Sequence, residues 1–511
     1  MITIEQPVQS ALTRARKALA ARQYSAAAEL FEQVLTRKPA SAQVMLELAQ
    51  VYHLMHRRQQ ALALLSQAIS STVVRPEILG VAGQLYGHMR MHEKAGQAYR
   101  RVLTCNPKSV AALLSLGELA ERMHQLVEAR DFTDRVLKIS PQNPRARLLQ
   151  AVLDERENDW QRADRRLSDL VSRRDLPNPI SWKARYQHAR VLDRMGEYDG
   201  AMEQLLAAKA ILQADATRFR KRAEALDYQL RQSAEGLIPA YSRDWQHSRT
   251  AESSPRLAVL VGHPRSGTTL LEQVIDGHSD VATAEELPLL SQLVHDPIVA
   301  QSGEQASIIE ALDRLTPDQL TEYRRDYFEG ADAWMSSPLK GRLLLDKSPE
   351  AIRLVPTIAR VFSWAKLIVA IRDPRDVCLS CFMQPLPLNG VSVCFLELQS
   401  TIKRYASVMQ AWLRFRRVVE LPWRETRYED VIQNLESEVR AVGAFLDLPH
   451  ESQMLQTQQT ARSRYVHSPS YASVAGGVYR ESVGRWKNYG KYLAPYLEQL
   501  DPFLDEWSYT T

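Results

Sequence analysis

The residues best placed to do chemistry begin with the run GHPRSGTT at Gly262–Thr269. Its G-x-x-x-x-G-T-T spacing is that of a loop whose backbone N–H groups, with the positive end of a following helix, cradle an anion of phosphate size. Thr268 stands where a nucleoside triphosphatase carries the lysine that reaches the β- and γ-phosphates. The loop is therefore shaped for a different nucleotide. Adjacent carboxylates follow at Glu285 and Glu286. A carboxylate near such a loop is ill suited to bind an anion but well suited to take a proton from a hydroxyl. The alternative is the first turn of a helix, where the dipole favours glutamate. Further on, LLLDKSP carries Asp346 and Lys347, and KLIVAIRDPRDVCLSC carries Arg372 and Ser380. An arginine at the end of a strand and a hydroxyl one to two helical turns along can both reach a second phosphate. A surface ion pair of Arg372 with Asp373 or Asp376 is the competing reading.

These residues need elements to deliver them. Leu257–Val261 is a short continuous apolar run, the pattern of a strand buried on both faces, and a helical pattern runs from about Thr268 to Asp276. Apolar runs before Asp346 and at Leu367–Ile371 predict two more strands that end in Lys347 and Arg372. Strands alternating with helices over about residues 255–507 predict an α/β domain with a central parallel sheet, whose ligands sit at the carboxyl ends of the strands.

Upstream the dominant signal is an internal repeat. Ala27, Ala61, Ala95, Ala129 and Ala163 succeed one another at a spacing of 34. Small residues keep the register at Ala15, Ala49, Gly83, Gly117 and Ala151, as do larger ones at Phe31, Leu65, Tyr99, Thr133 and Leu167. Small residues let paired helices approach closely, and larger ones fill the space to the next pair. The period is that of tetratricopeptide helix pairs. After a four-residue shift in the loop Leu176–Pro179, Ala189, Tyr198, Ala201 and Leu205 give a sixth unit. Six pairs over residues 8–213 predict an all-α solenoid resembling the tetratricopeptide repeat family, whose concave face can dock a peptide. Residues 214–254 read as a capping helix near Phe219–Leu230 and a polar, irregular linker from Tyr241. The basic run Arg162, Arg165, Arg166, Arg173 and Arg174 reads either as a solvated helix face or as an attraction for an acidic peptide.

The 511 residues, 45% hydrophobic and 24% charged, describe an ordinary globular multidomain chain. A net charge of +5 is too small at this length to imply general nucleic-acid binding. No apolar run approaches the roughly 20 residues of a membrane span, and MITIEQPVQS has no apolar signal core, so the expected location is cytoplasmic. Four cysteines are too few for a disulfide framework, and the C-x-x-C of Cys378 and Cys381 has no second pair or nearby histidine to complete a zinc set, so buried helix cysteines are expected.

With both phosphate motifs in view, residues Pro255–Trp507 resemble the PAPS-dependent sulfotransferase superfamily. PRSGTT at Pro264–Thr269 looks like its 5′-phosphosulfate loop, and IRDPRDVCLS like its 3′-phosphate segment; RYEDV at Arg427–Val431 and GRWKNY at Gly484–Tyr489 also recur there. The branch it most resembles is that of the tyrosylprotein sulfotransferases and their bacterial relatives, whose D-x-H-P-x-V and G-E-E order is kept here by Asp276, His278, Val281, Glu285 and Glu286. Ser279 replaces that branch's proline and Ala284 its glycine. The segment Tyr471–Tyr479 is shorter than the matching loop, so a donor role for Ser473 does not carry over directly.

The resemblance implies a P-loop-like sulfotransferase fold and a metal-free reaction with PAPS as co-substrate and PAP as product. It implies Glu286 as general base, with Arg265 and Lys347 stabilising charge. The nucleotide would lie on Arg265, Ser266, Gly267, Thr268 and Thr269, with Arg372, Ser380, Tyr428 and Arg480 around its 3′-phosphate end. His263 and His278 read as structural. Fusion to a peptide-binding solenoid points to a tyrosine of a peptide or protein as acceptor. A carbohydrate, lipid or small-molecule hydroxyl is the alternative, and a scaffold with an inactive domain is the alternative of another class. Oligomeric state is not legible.

Overall fold

The 34-residue register becomes a series of antiparallel helix pairs. The computed structural model describes residues 5–55, 57–70, 75–247, 254–302, 307–335, 339–456 and 482–509. The chain divides into two compact units, Met1–Arg166 and Leu167–Thr511. In the first, pairs such as Pro76–His88 with His92–Cys105 and Val110–Arg122 with Leu126–Ile139 bury Ala61, Ala95, Ala129 and Ala163. The small positions have a steric cause, since a Cβ on Gly83 would lie 2.6 Å from the Tyr99 ring. Several of the pairs turn through a left-handed residue. Arg90, His124 and Asn158 have φ of 60°, 61° and 63°, and the N–H of the residue after each reaches back to close the helix, as from Gln125 to the carbonyl of Ala120. The basic fifth repeat is partly paired within the array: Arg162 and Arg166, with Arg130 of the preceding repeat, all pair with the fully buried Asp154.

The second unit opens with the helices Asn178–Arg194 and Tyr198–Gly236. The expected separate capping helix near Phe219 is instead the continuation of one 39-residue helix, because no proline interrupts the run and its buried stripe of Leu205, Ala208, Leu212 and Ala216 resumes at Leu230. The stretch read as an irregular linker begins with a helix, Pro239–His247. Trp245 anchors it, buried and donating through Nε1 to Asp313 at 3.0 Å.

The sheet has five parallel strands: β1 Leu257–Gly262, β2 Val281–Thr283, β3 Leu343–Lys347, β4 Lys366–Ile371 and β5 Trp423–Arg427, in the order β2-β3-β1-β4-β5. β1 and β3 are buried along their whole length, as continuous apolar runs require. Register places the chemistry. Lys347 lies opposite Leu260 and Ala370 opposite Gly262, so the carboxyl ends of β3, β1 and β4 are neighbours. Thr283 pairs with Leu345, which sets Glu286 beyond the end of β2 beside the end of β3. Among the described residues, no helix is long and apolar enough to cross a membrane. Cys378 and Cys381 are buried free thiols in the helix Pro374–Phe382.

Candidate active site

The loop after β1 takes its form from two consecutive departures into left-handed backbone. Arg265 has φ 75° and Gly267 φ 92°, and the helix Thr268–Asp276 starts immediately after. A side chain at Gly267 is excluded twice, by that φ and because its Cβ would meet Cδ2 of Tyr428 at 2.5 Å. Gly262 is equally constrained, its Cβ position lying 2.8 Å from the carbonyl oxygen of Ala370 on β4. The result is a turn of outward amides capping a helix, a cradle for an anion.

Arginines converge on this loop. Arg265 donates through Nε to the Ser380 hydroxyl at 2.9 Å. Arg372, at the end of β4, donates to the carbonyls of Arg265 at 3.1 Å and Ser482 at 2.5 Å, and its guanidinium lies over the Tyr428 ring. The Tyr428 hydroxyl in turn meets that of Ser482 at 2.8 Å. Arg372 is buried, not a surface residue; Asp376 is 3.8 Å away, while Asp373 pairs with Arg375. Burial, together with the nearby positive charges of Arg372 and Arg485, pushes the pKa of Arg265 down to about 10. Like charges gathered this closely favour an anionic ligand between them.

Near them lies an ionic triad centred on a buried lysine. Lys347, 1% exposed, donates to Glu286 at 2.8 Å and pairs with Glu272 at 3.0 Å. Glu272 sits on the loop helix, and burial lifts its pKa to about 7 against the pull of Lys347. Asp346 is not part of this group. Strand alternation turns it to the other face of the sheet, where it accepts from the Tyr327 hydroxyl at 2.8 Å.

A cavity of about 430 Å³ joins these groups, lined by Arg265, Gly267, Thr268, Thr269, Glu286, Arg372, Ser380 and Tyr428 among others. Of the expected site residues, Ser266 and Lys347 are not on the cavity wall, and Arg480 lies outside the described residues, as do Ser473 and the segment Tyr471–Tyr479. Ser266 is buried beneath the loop, and Lys347 reaches the cavity only through Glu286. His263, buried, packs edge-on to Phe395 and against Tyr405, and His278 bonds the Pro449 carbonyl at 2.9 Å. Three contributors escaped the sequence reading. Glu272 was legible only as a charge in the apolar run TTLLEQVID. Ser482 gave no signal. Arg485, on the cavity wall, lies inside the recurrent GRWKNY segment.

Residues 258–452 match the family model described as the sulfotransferase family, and residues 18–85 and 89–153 match that of the tetratricopeptide repeat. A stretch that matches the sulfotransferase family thus follows, along the chain, one that matches the tetratricopeptide repeat. It is 25% identical over 411 residues to an uncharacterized protein of Aquifex aeolicus (strain VF5), covering 75% of this chain and 50% of that one. It is also 25% identical over 243 residues to protein-tyrosine sulfotransferase 1 of Danio rerio, covering 45% and 60%. With protein-tyrosine sulfotransferase 2 of Gallus gallus it shares 22% over 340 residues, covering 63% and 88%. The chain therefore spans only half the length of the Aquifex relative.

Proposed function

We propose that this protein transfers the sulfuryl group of PAPS to an acceptor hydroxyl, a tyrosine of a peptide or protein presented by the repeats. The observation that carries the reading is one cavity lined by the loop Arg265–Thr269, by Arg372 and Arg485, and by a carboxylate paired with a buried lysine. The residues fit PAPS, which has anionic groups at both ends of its sugar. Arg265–Thr269 would hold the phosphosulfate, and Arg372, Ser380, Tyr428, Arg485 and Arg480 the 3′-phosphate end. When bound, PAPS supplies the activated sulfuryl group and PAP is what remains.

Glu286 is the base. Its carboxylate faces the cavity and can accept the acceptor's proton. Once Glu286 is neutral, Lys347 keeps Glu272 as counter-charge, so its cation stays at the cavity edge. Arg265 and the loop amides are fixed donors, which stabilise developing negative charge without reorganising.

The first test is incubation of the full chain with sulfur-labelled PAPS and a lysate of the producing cell. Labelled protein is the expected result; a labelled glycan or lipid overturns the tyrosine reading, and no label with no PAP binding by calorimetry leaves a scaffold. Glu286→Gln should lower turnover by roughly 10²–10⁴-fold while PAP affinity stays within about twofold. Unchanged turnover sinks the base assignment.

A further inference from the structure

The helix pair Asn178–Arg194 and Tyr198–Gly236 continues the repeat register, and one of its carboxylates holds an arginine of the cavity wall. Asp193, at the end of its first helix, is 10% exposed and holds Arg485 in a bidentate pair, Nη2 to Oδ2 at 2.7 Å and Nε to Oδ1 at 3.2 Å. It also accepts from the Tyr489 hydroxyl at 2.7 Å. Arg485 itself lies on the cavity wall, close enough to Arg265 for their charges to interact.

The backbone that carries Arg485 is anchored by the fully buried Tyr489, but it does not itself fix the direction of the guanidinium. It is a short 3-10 turn, Arg485–Tyr489, tied to the domain by the Gly484 and Trp486 amides donating to Asp376 at 2.7 and 2.9 Å. A guanidinium with the positive charge of Arg265 beside it is drawn toward solvent unless an opposite charge retains it. Asp193 is that charge, and a forked pair fixes orientation as well as distance. The same two helices hold further cavity-wall elements: Lys209, buried, donates to the carbonyl of Phe395 at 2.6 Å, and a Cβ at Gly390 would lie 2.7 Å from Cγ of Arg222. Asp199 pairs with Lys491.

We propose that Asp193 is a positioning residue for the nucleotide site, fixing Arg485 at the cavity wall, so that the pair Asn178–Gly236 is a working part of the sulfotransferase site. The proposal rests on the nucleotide reading above, and PAP binding by the full chain separates the two. Calorimetry with PAP is run on the wild type, Asp193→Asn, Arg485→Gln, the double variant and Asp199→Asn, each checked by thermal unfolding. Asp193→Asn should weaken PAP about tenfold, and Arg485→Gln at least as much. The double variant should be no weaker than Arg485→Gln, because Asp193 then has nothing left to position. Asp193→Glu, which keeps the carboxylate, should recover part of the loss, and Asp199→Asn should bind as the wild type. No binding by the wild type overturns the nucleotide reading and the proposal with it. Wild-type binding with Asp193→Asn unchanged, with additive losses in the double variant, or with an equal loss in Asp199→Asn overturns the proposal alone.

Discussion

Lys347 is held by two carboxylates in a setting where any unpaired charge is costly, which sets how its neighbours respond to substitution. Lys347→Met leaves Glu272 and Glu286 facing each other without a counter-ion, and truncating one partner of a buried pair typically costs about 3–5 kcal/mol. Glu286→Gln should cost less, because that side chain is 34% exposed and Lys347 keeps Glu272. Urea unfolding of the second unit checks the order; an equal loss from both would mean that the triad does not act as one unit. Asp346 gives a pH test on the opposite face of the same strand. Burial lifts its pKa from the ordinary 3.8 to about 7. Between those pH values the native state binds the proton that the unfolded chain has released, so raising the pH through the window costs native stability. Asp346→Asn carries no such proton, and its stability relative to the wild type should rise by ~1–3 kcal/mol from pH 4 to pH 7. A pH-independent difference would exclude titration of Asp346. The two side chains were readable in LLLDKSP only as neighbours; their separation onto opposite faces follows from the two-residue period of a strand, and their partners from contacts distant in sequence.

At the scale of elements, what was legible is what depends on local pattern. The loop Gly262–Thr269, the strands that end in Lys347 and Arg372, and the 34-residue helix pairs each announce themselves within a short window. What was not legible depends on packing across the fold. That Gly267 must yield to the Tyr428 ring, that Glu272 faces Lys347, and that Ser482 receives Arg372 all follow from register and crossover. The repeat turns occupy a middle ground, since left-handed backbone needs no glycine but is costly without it. Arg22, exposed at φ 59°, and Gly196, at φ 83° with nothing within 4 Å of its Cβ position, make a reciprocal pair. Arg22→Gly should stabilise the first unit by about 0.5–1 kcal/mol, and Gly196→Ala should destabilise the second by ~1 kcal/mol although no atom stands in the way. Denaturant midpoints at unchanged m-value are the measurement. If Gly196→Ala is neutral, the turn relaxes at no cost and strain is the wrong account.

At the scale of the whole molecule, repeat periodicity and compact organisation divide the chain at different places. The register of alanines runs on through Ala189 and Ala201, whereas the compact units part between Arg166 and Leu167. The reason lies in what each helix covers: Leu205, Ala208, Leu212 and Ala216 belong to the same buried cluster as β1 residues Val259 and Val261 and β4 residue Val369. A helix in that cluster must unfold with the sheet. PAP at about 100 times its dissociation constant should therefore add ~2.7 kcal/mol to the unfolding of the unit that holds the cavity. Native-state hydrogen exchange locates that gain. Slow amides in Tyr198–Gly236 should gain protection together with those of β1 and β4, because they exchange through the same global opening. If β1 and β4 gain protection while the middle of Tyr198–Gly236 does not, the helix opens apart from the sheet, and the unit that holds the cavity begins nearer Pro255 than Leu167.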